Sequence, residues 1–505
     1  MKANPTVWTV LFAASAIPGS AATCEGLASL ALPDAKITLA QVVAAGAFSP
    51  PGGGQRGGKA GAASPYQSLP EFCRVAAALT PSSDSDIRVE VWLPSAGWNR
   101  KFQAVGNGGW AGAISYSAMA EAVKLGYATA STDTGHATSG GAFALGHPEK
   151  LIDFAWRSEH EMTVKGKAIV QAFYGSAPKR SYWNGCSTGG RQGLKEAQKF
   201  PDDFDGIIAG APANRTAISL WIAFALLKNP ASFIPPAKYP AIHQAVLDAC
   251  DSRDGVKDGL IENPAVCKFD PKVLLCKGED SSTCLTAPQV EAARKVLSPA
   301  KNPRTGMELF ASLAPGAELG WGVLGAGPEP YANGLDQFKY VVFQDPNWDW
   351  RTFDFDRDVA RSEKPEYVVM NATGPNLKPF FSHNGKLLIY HGWSDPNVPP
   401  FNTIKYFKSV QDTLGGPAKT ANNMRLFMAP GMGHCGGGEG PNAFDKIGTL
   451  DRWVEDGKAP EAIIASHSTA RKVDRTRPLC PYPQVAKYKG SGSIDEAANF
   501  VCKQP

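Results

Sequence analysis

From Ile87 to Pro212 the chain alternates short apolar runs with amphipathic stretches, and this rhythm restricts the fold more than any other feature. IRVEVWLP alternates polar and apolar residues, KFQAVGNGG is a short strand closing on glycines, and YATASTDTG reads as a buried strand. EHEMTVKGKAIVQAFYG follows as an amphipathic helix, SYWNG as a strand running into GCSTGG, RQGLKEAQKFP as a helix and GIIAGAP as the next strand. Strands separated by helices pair in parallel and need cover on both faces, so the α/β class is expected.

The rhythm stops near Pro212 and resumes at Gly385, where KLLIYHGWSD and MRLFMAPGMGH restore strand followed by loop. The residues between are rich in Pro, Trp, Cys and acidic groups. One sheet interrupted by an insertion is the economical explanation: residues 23–211 and 385–505 would carry the sheet, and residues 212–384 a second domain lying over it as a lid. With 505 residues, 43% apolar and 19% charged, the chain is long enough for such a core. Residues 48–65, FSPPGGGQRGGKAGAASP, read as a surface loop, and no internal repeat is evident.

The opening segment MKANPTVWTVLFAASAIPGSAAT has one lysine, an apolar stretch from Val7 to Ile17, and Ser20 and Ala22 placed for cleavage after Ala22. That is a secretory signal over residues 1–22, implying a secreted protein, periplasmic or extracellular. No later run reaches the roughly 18 apolar residues of a membrane span. In an oxidising compartment the ten cysteines should pair, and Cys250–Cys267, Cys276–Cys284 and Cys480–Cys502 each close a short loop. A net charge of +4 without a basic, aromatic-rich run argues against a nucleic-acid partner.

Ser187 lies in G-C-S-T-G, between a strand and a helix. A serine hydroxyl needs a base to become a nucleophile, and a sharp strand-to-helix turn exposes it to one; Gly185, Gly189 and Gly190 supply the room that turn needs. An acid and then a histidine should follow in chain order, each after a strand. Asp395 follows KLLIY and His434 follows MRLFM. If Ser187 and His434 touch, their neighbours Cys186 and Cys435 come close to bridging distance, tying the two loops together.

With GCSTGGRQG, YHGWSD and PGMGHCGGG in place, the chain resembles the tannase and feruloyl esterase family of α/β-hydrolases, which also contains hydrolases of mono(2-hydroxyethyl) terephthalate. The similarity runs from Cys24 into the RTRPLCPYPQVAKYKGSGSIDEAANFVC tail. It implies an α/β-hydrolase fold with a large inserted lid domain, Ser187 as nucleophile, His434 as base, Asp395 as acid and a Cys186–Cys435 disulfide. The oxyanion would be held by the amides of Thr188 and Gly109, with Gly108 the less secure choice. The full pairing expected adds Cys24–Cys73 to the bridges already named.

CDSRDGVKDGLIENPAVC, residues 250–267, crowds Asp251, Asp254 and Asp258 near Gly255 and Gly259. Three carboxylates this close suit a hard cation or a solvated acidic turn. The resemblance favours a structural Ca²⁺ in the lid, held by the carboxylates of Asp251, Asp254 and Asp258 and the carbonyls of Val256 and Leu260. The lid aromatics Trp221, Phe224, Trp321, Phe338, Trp348 and Trp350 suit a pocket for a planar acyl group, although such residues are more often core. His391 could border the acyl site or support the Asp395 loop.

The resulting expectation is a secreted serine carboxylesterase of small aromatic esters, feruloyl or related hydroxycinnamoyl esters first and galloyl esters second. A terephthalate monoester is third: it calls for an arginine opposite the free carboxylate, and Arg351, Arg357 and Arg361 are available without a motif to select one. The non-enzymatic rival is a calcium-dependent binding protein on an inactive hydrolase scaffold, which predicts a missing triad member.

Overall fold

The computed structural model describes residues 21–51, 64–215 and 220–505. Residues 1–20 of the signal segment and 52–63 of the Gly-rich loop lie outside them. The strands in chain order are β1 (Ala35–Val43), β2 (Phe72–Leu79), β3 (Ile87–Pro94), β4 (Lys101–Val105), β5 (Ala128–Thr132), β6 (Arg180–Cys186), β7 (Gly206–Gly210), β8 (Ala300–Lys301), β9 (Glu308–Phe310), β10 (Lys386–Gly392) and β11 (Met424–Ala429). Nine of them form one sheet in the order β1-β2-β3-β5-β4-β6-β7-β10-β11, and β8 pairs with β9 apart from it.

The β5-β4-β6-β7-β10-β11 portion is parallel throughout, and β1, β2 and β3 extend it as antiparallel neighbours. Sequence pattern explains the difference. Every residue of β10, KLLIYHG, is buried, whereas β1 exposes several of its side chains. Successive residues of the parallel strands feed two separate cores. Trp183, Ile207, Leu387 and Ile389 pack with Ile169 and Leu194 on one face, while Tyr182, Ile208, Leu388 and Tyr390 pack with Leu450 and Trp453 on the other. The helices Ser158–Tyr174 and Thr188–Lys199 cover the first face, and Lys446–Asp456 covers the second. Each such Leu or Ile contributes about 1.5–3 kcal/mol by burial, so truncating Leu387 or Leu388 to alanine would cost about 2–5 kcal/mol.

Between β7 and β10 the chain leaves the large sheet and builds its own apolar cluster around Trp221, Leu226, Trp321, Phe338 and Trp350. Downstream, β12 (Ile463–Thr469) pairs with β13 (Lys472–Leu479), and β14 (Val485–Tyr488) with β15 (Phe500–Lys503). The ten cysteines form five disulfides: Cys24–Cys73, Cys186–Cys435, Cys250–Cys267, Cys276–Cys284 and Cys480–Cys502. Among the described residues no helix is long and apolar enough to cross a membrane.

Parallel pairing has one consequence for chemistry. The loops that leave β4, β6, β10 and β11 all emerge from the same edge of the sheet, the carboxyl ends of the strands, where open α/β sheets hold their ligands. Those four loops carry Gly109, Ser187, Asp395 and His434.

Candidate active site

Ser187 occupies the turn between β6 and the helix Thr188–Lys199 at φ 63° and ψ −121°, a conformation that costs a non-glycine residue about 1–3 kcal/mol and recurs at functional turns. Its own N–H donates to the Gly210 carbonyl at 2.9 Å. Neighbouring glycines make the turn sterically possible. A Cβ on Gly185 would come within 2.4 Å of the Gly189 oxygen, and one on Gly190 within 2.3 Å of the Gly210 oxygen.

Asp395 is fully buried. Its Oδ2 lies 2.7 Å from His434 Nδ1, and its Oδ1 accepts the N–H groups of Asn397 and Val398 at 2.8 and 3.0 Å. Burial by itself would raise this carboxyl, but hydrogen bonds from His391 and His434, reinforced by their charge, outweigh it and hold Asp395 well below the usual carboxylate range. The acid is therefore ionised at neutral pH. His434 keeps part of its ring exposed, and its ring lines the same cleft as Ser187. The disulfide between Cys186 and Cys435, with Cα atoms 5.9 Å apart, joins the two loops.

The cleft, of about 660 Å3 with its mouth, is lined by Ser187, Thr188, Gly109, His434, Trp110, Phe154, Tyr331, Asn333, Met370, Arg191 and Arg215, among others. Thr188 and Gly109 meet there: the Thr188 hydroxyl donates to the Gly109 carbonyl at 2.9 Å, and Gly109 has φ +56°. Gly108 is not among the lining residues. The aromatic walls are thus Trp110, Phe154 and Tyr331, and Asn333 donates to the Tyr331 hydroxyl at 2.9 Å. Sequence reasoning missed Phe154, Tyr331, Asn333, Met370 and Arg215. Arg191 stood in GCSTGGRQG and Trp110 directly follows KFQAVGNGG, without either being read as a wall.

Several residues raised as candidates for the cleft lie elsewhere. His391 does not border the cleft: it is fully buried, with Nε2 3.1 Å from Asp395 Oδ2 and Nδ1 2.8 Å from Thr403 Oγ1. Its place at the end of the all-buried β10 turns the ring inward behind the acid. The lid aromatics are core. Trp221, Trp321, Phe338 and Trp350 are buried in the inserted segment's own cluster, with Phe224 and Trp348 packed against it. Nor do the three candidate arginines reach the cleft. Arg351 is half exposed beside Asp349 and Glu329, Arg357 pairs with Asp358, and Arg361 lies over Phe343. The arginines that line the cleft are Arg191 and Arg215; Arg215 donates to the Leu309 carbonyl at 2.9 Å, pairs with Glu363 and covers the Phe310 ring.

The acidic loop closed by Cys250–Cys267 folds its own amides onto its carboxylates. Asp251 accepts the N–H groups of Asp258 and Gly259 at 3.2 and 3.0 Å, Asp254 that of Val256 at 2.9 Å, and Asp258 that of Leu260 at 3.1 Å. The Asp254 carboxyl is pushed up to about 6 by burial, with the charges of Asp258 and Asp251 adding to it. Glu262, which sequence reasoning did not single out, is pushed up to about 8 by burial, and its Oε2 is buried without a partner. Against these acids stands Arg477 from β13, 2.5 Å from Asp258 Oδ2. Arg475, also from β13, donates to the Asp258 carbonyl at 3.1 Å. The loop's donors are carboxylate and carbonyl oxygens, the chemistry a hard divalent cation takes.

Comparison with known proteins gives a consistent answer. The family described as tannase and feruloyl esterase matches residues 73–503. The chain is 41% identical to an uncharacterised esterase of Xanthomonas campestris, over 96% of this chain and 91% of the relative. It is 37% identical to a probable feruloyl esterase B-1 of Aspergillus oryzae, over 87% and 85% of the two. Among solved structures it is similar to feruloyl esterase B from Aspergillus oryzae, with a TM-score of 0.88 at 32% identity, covering 95% of this chain and 99% of that one. A tannin acyl hydrolase from Aspergillus niger shares the fold, with a TM-score of 0.79 at 21% identity over 94% and 93% of the chains.

Proposed function

The chain belongs to the tannase and feruloyl esterase family and is a carboxylic ester hydrolase of small ester substrates; on that footing we propose that it is a secreted serine esterase of aromatic acids working through Ser187, His434 and Asp395. The observation that carries this reading is the 2.7 Å contact from His434 Nδ1 to the buried Asp395 Oδ2, with His434 and Ser187 lining one cleft.

In this reading Asp395 holds the His434 tautomer that protonates Nδ1 and leaves Nε2 free to take the Ser187 proton. Ser187 Oγ attacks the ester carbonyl, and the amides of Thr188 and Gly109 receive the oxyanion. His434 returns the proton to the leaving alcohol. It then activates a water, which releases the acid from the acyl-enzyme and restores Ser187.

Trp110, Phe154 and Tyr331 offer flat apolar surface for an aromatic acyl group, which supports hydroxycinnamoyl esters first and galloyl esters second. The apolar segment from Val7 to Ile17 and the five disulfides support export. A structural Ca²⁺ would be held by Asp251, Asp254 and Asp258 with the carbonyls of Val256 and Leu260. When bound, the ion would offset the charge of the three carboxylates and hold the loop together.

Hydrolysis of methyl ferulate by wild type and by Ser187→Ala tests the reading against the binding-protein rival. Abolished turnover in a folded variant is expected; equal rates would remove Ser187 from the mechanism. Parallel rates on methyl gallate and a terephthalate monoester rank the substrate classes.

A further inference from the structure

Asp395 Oδ2 is shared by two imidazoles. His434 Nδ1 approaches it from the cleft at 2.7 Å, and His391 Nε2 from the core at 3.1 Å. His391 Nε2 also lies 3.1 Å from the Val398 carbonyl. Two acceptors face that nitrogen, so it carries a proton and donates it. On the other side of the ring, Nδ1 is 2.8 Å from the buried hydroxyl of Thr403, in the helix Pro400–Thr413. The imidazole is thereby fixed at both nitrogens. The charged or titratable groups facing this pair are His434 across Asp395 and, from the inserted segment, Tyr331, whose hydroxyl is raised by burial and then by the Asp395 charge.

We propose that His391 is a positioning residue for ester hydrolysis: by donating Nε2–H to Asp395 Oδ2 it fixes that oxygen opposite His434 Nδ1 and draws off part of its charge. The inference rests on the Ser187–His434–Asp395 reading. His391 never contacts substrate and keeps its proton throughout. What it sets is how strongly Asp395 holds the imidazolium that His434 becomes when it takes the Ser187 proton.

The sign of the effect follows from electrostatics. A carboxylate oxygen relieved of one N–H donor concentrates its charge on the donor that remains, so loss of His391 stabilises protonated His434. The acid limb of the kcat/KM profile then moves to higher pH. A purely structural role would lower thermal stability and leave the limb where it is.

The test is a pH series of methyl ferulate hydrolysis by wild type, His391→Leu, His391→Gln and Thr403→Val, with a melting curve for each. His391→Leu should lose about 10- to 100-fold in kcat, the cost of a carboxylate no longer held in place opposite His434, with little change in KM and the acid limb displaced upward. His391→Gln, whose side-chain amide can donate from nearly the same place, should recover most of both. Thr403→Val, which keeps the imidazole but frees Nδ1, should displace the limb in the same direction by less. An acid limb at the wild-type position in folded His391→Leu overturns the inference; if that variant does not fold, an undisplaced limb in Thr403→Val overturns it. Ser187→Ala in the same assay separates the two readings. If it is inactive while the limb stays put, only the role of His391 falls, and if it is fully active the triad falls with it.

Discussion

Cys186 and Cys435 are joined by a disulfide that spans 249 positions of sequence, so Ser187 and His434 each sit one residue from a single covalent crosslink. Two loops from different strands are thereby held together independently of the packing around them. Such a bridge also removes freedom from the unfolded chain, worth about 2–5 kcal/mol.

Replacing both cysteines with alanine should therefore act twice. The melting temperature should fall by several degrees, and kcat on methyl ferulate should fall by about tenfold or more, because under the proposed mechanism a small displacement of Ser187 from His434 is costly in rate. KM should change less, since the cleft walls Trp110, Phe154 and Tyr331 belong to other segments. Steady-state kinetics and a melting curve on the double variant check this. An unchanged kcat would mean that packing alone positions Ser187 and His434.

Calcium removal should separate stability from rate. Asp251, Asp254 and Asp258 lie in the Cys250–Cys267 loop, and none of them lines the cleft. A bound dication would stabilise the folded state by mass action, so a chelator should lower the melting temperature while the initial rate at moderate temperature stays near its starting value. Asp254→Asn should reduce the chelator effect. Elemental analysis finding no calcium in protein purified without chelator, together with a melting curve that ignores chelator, would sink the site.

The parts of this molecule that were legible in sequence are those written in local signals. A short apolar run and the glycines of GCSTGG mark β6, the turn at Ser187 and the helix after it, and a parallel sheet then places the ends of β4, β6, β10 and β11 on one edge. Tyr331, Asn333 and Met370 could not be found that way. They reach the cleft from an insert without a simple period, and what brings them there is packing over long sequence separations. The same packing moved the lid tryptophans the other way, into a core. His391 shows the limit most sharply: its spacing of four from Asp395 is visible in sequence, but the inward turn of its ring is decided by Thr403, a residue of the following helix.

Arg215 offers a way to read the substrate's charge. Arg215 lines the cleft, and its guanidinium pairs with Glu363. An ester bearing a free carboxylate would compete for that cation, whereas methyl ferulate has no such group. Arg215→Ala should accordingly raise KM for a terephthalate monoester by about tenfold, the worth of one exposed charged hydrogen bond, and leave KM for methyl ferulate nearly unchanged. Equal effects on both esters would assign Arg215 to holding the cleft wall through the Leu309 carbonyl and not to the substrate.

A histidine also ties the inserted segment to the loop that carries His434. His243, in the helix Tyr239–Cys250, has Nδ1 2.9 Å from Glu318 Oε2 and Nε2 3.0 Å from Glu439 Oε2; Glu439 lies five residues beyond His434. Burial pushes this imidazole down, but the two carboxylates prevail and raise it to about 9, so it is a cation between two anions at neutral pH. Because the folded value lies above the ordinary 6.5, the contact contributes fully below about pH 6.5 and is lost as the pH climbs through about 9. Wild type should lose on the order of a few degrees of melting temperature between pH 7 and 10 from this source. His243→Gln, which cannot become charged, should start lower at pH 7 and show a flatter decline. Its kcat should likewise sit lower at pH 7 and change less across that range, because the charged tie to the His434 loop is absent throughout, and parallel melting curves and rates at the two ends of the range measure both. Identical slopes for the two proteins would show that the Glu318–His243–Glu439 contact carries no pH-dependent stability.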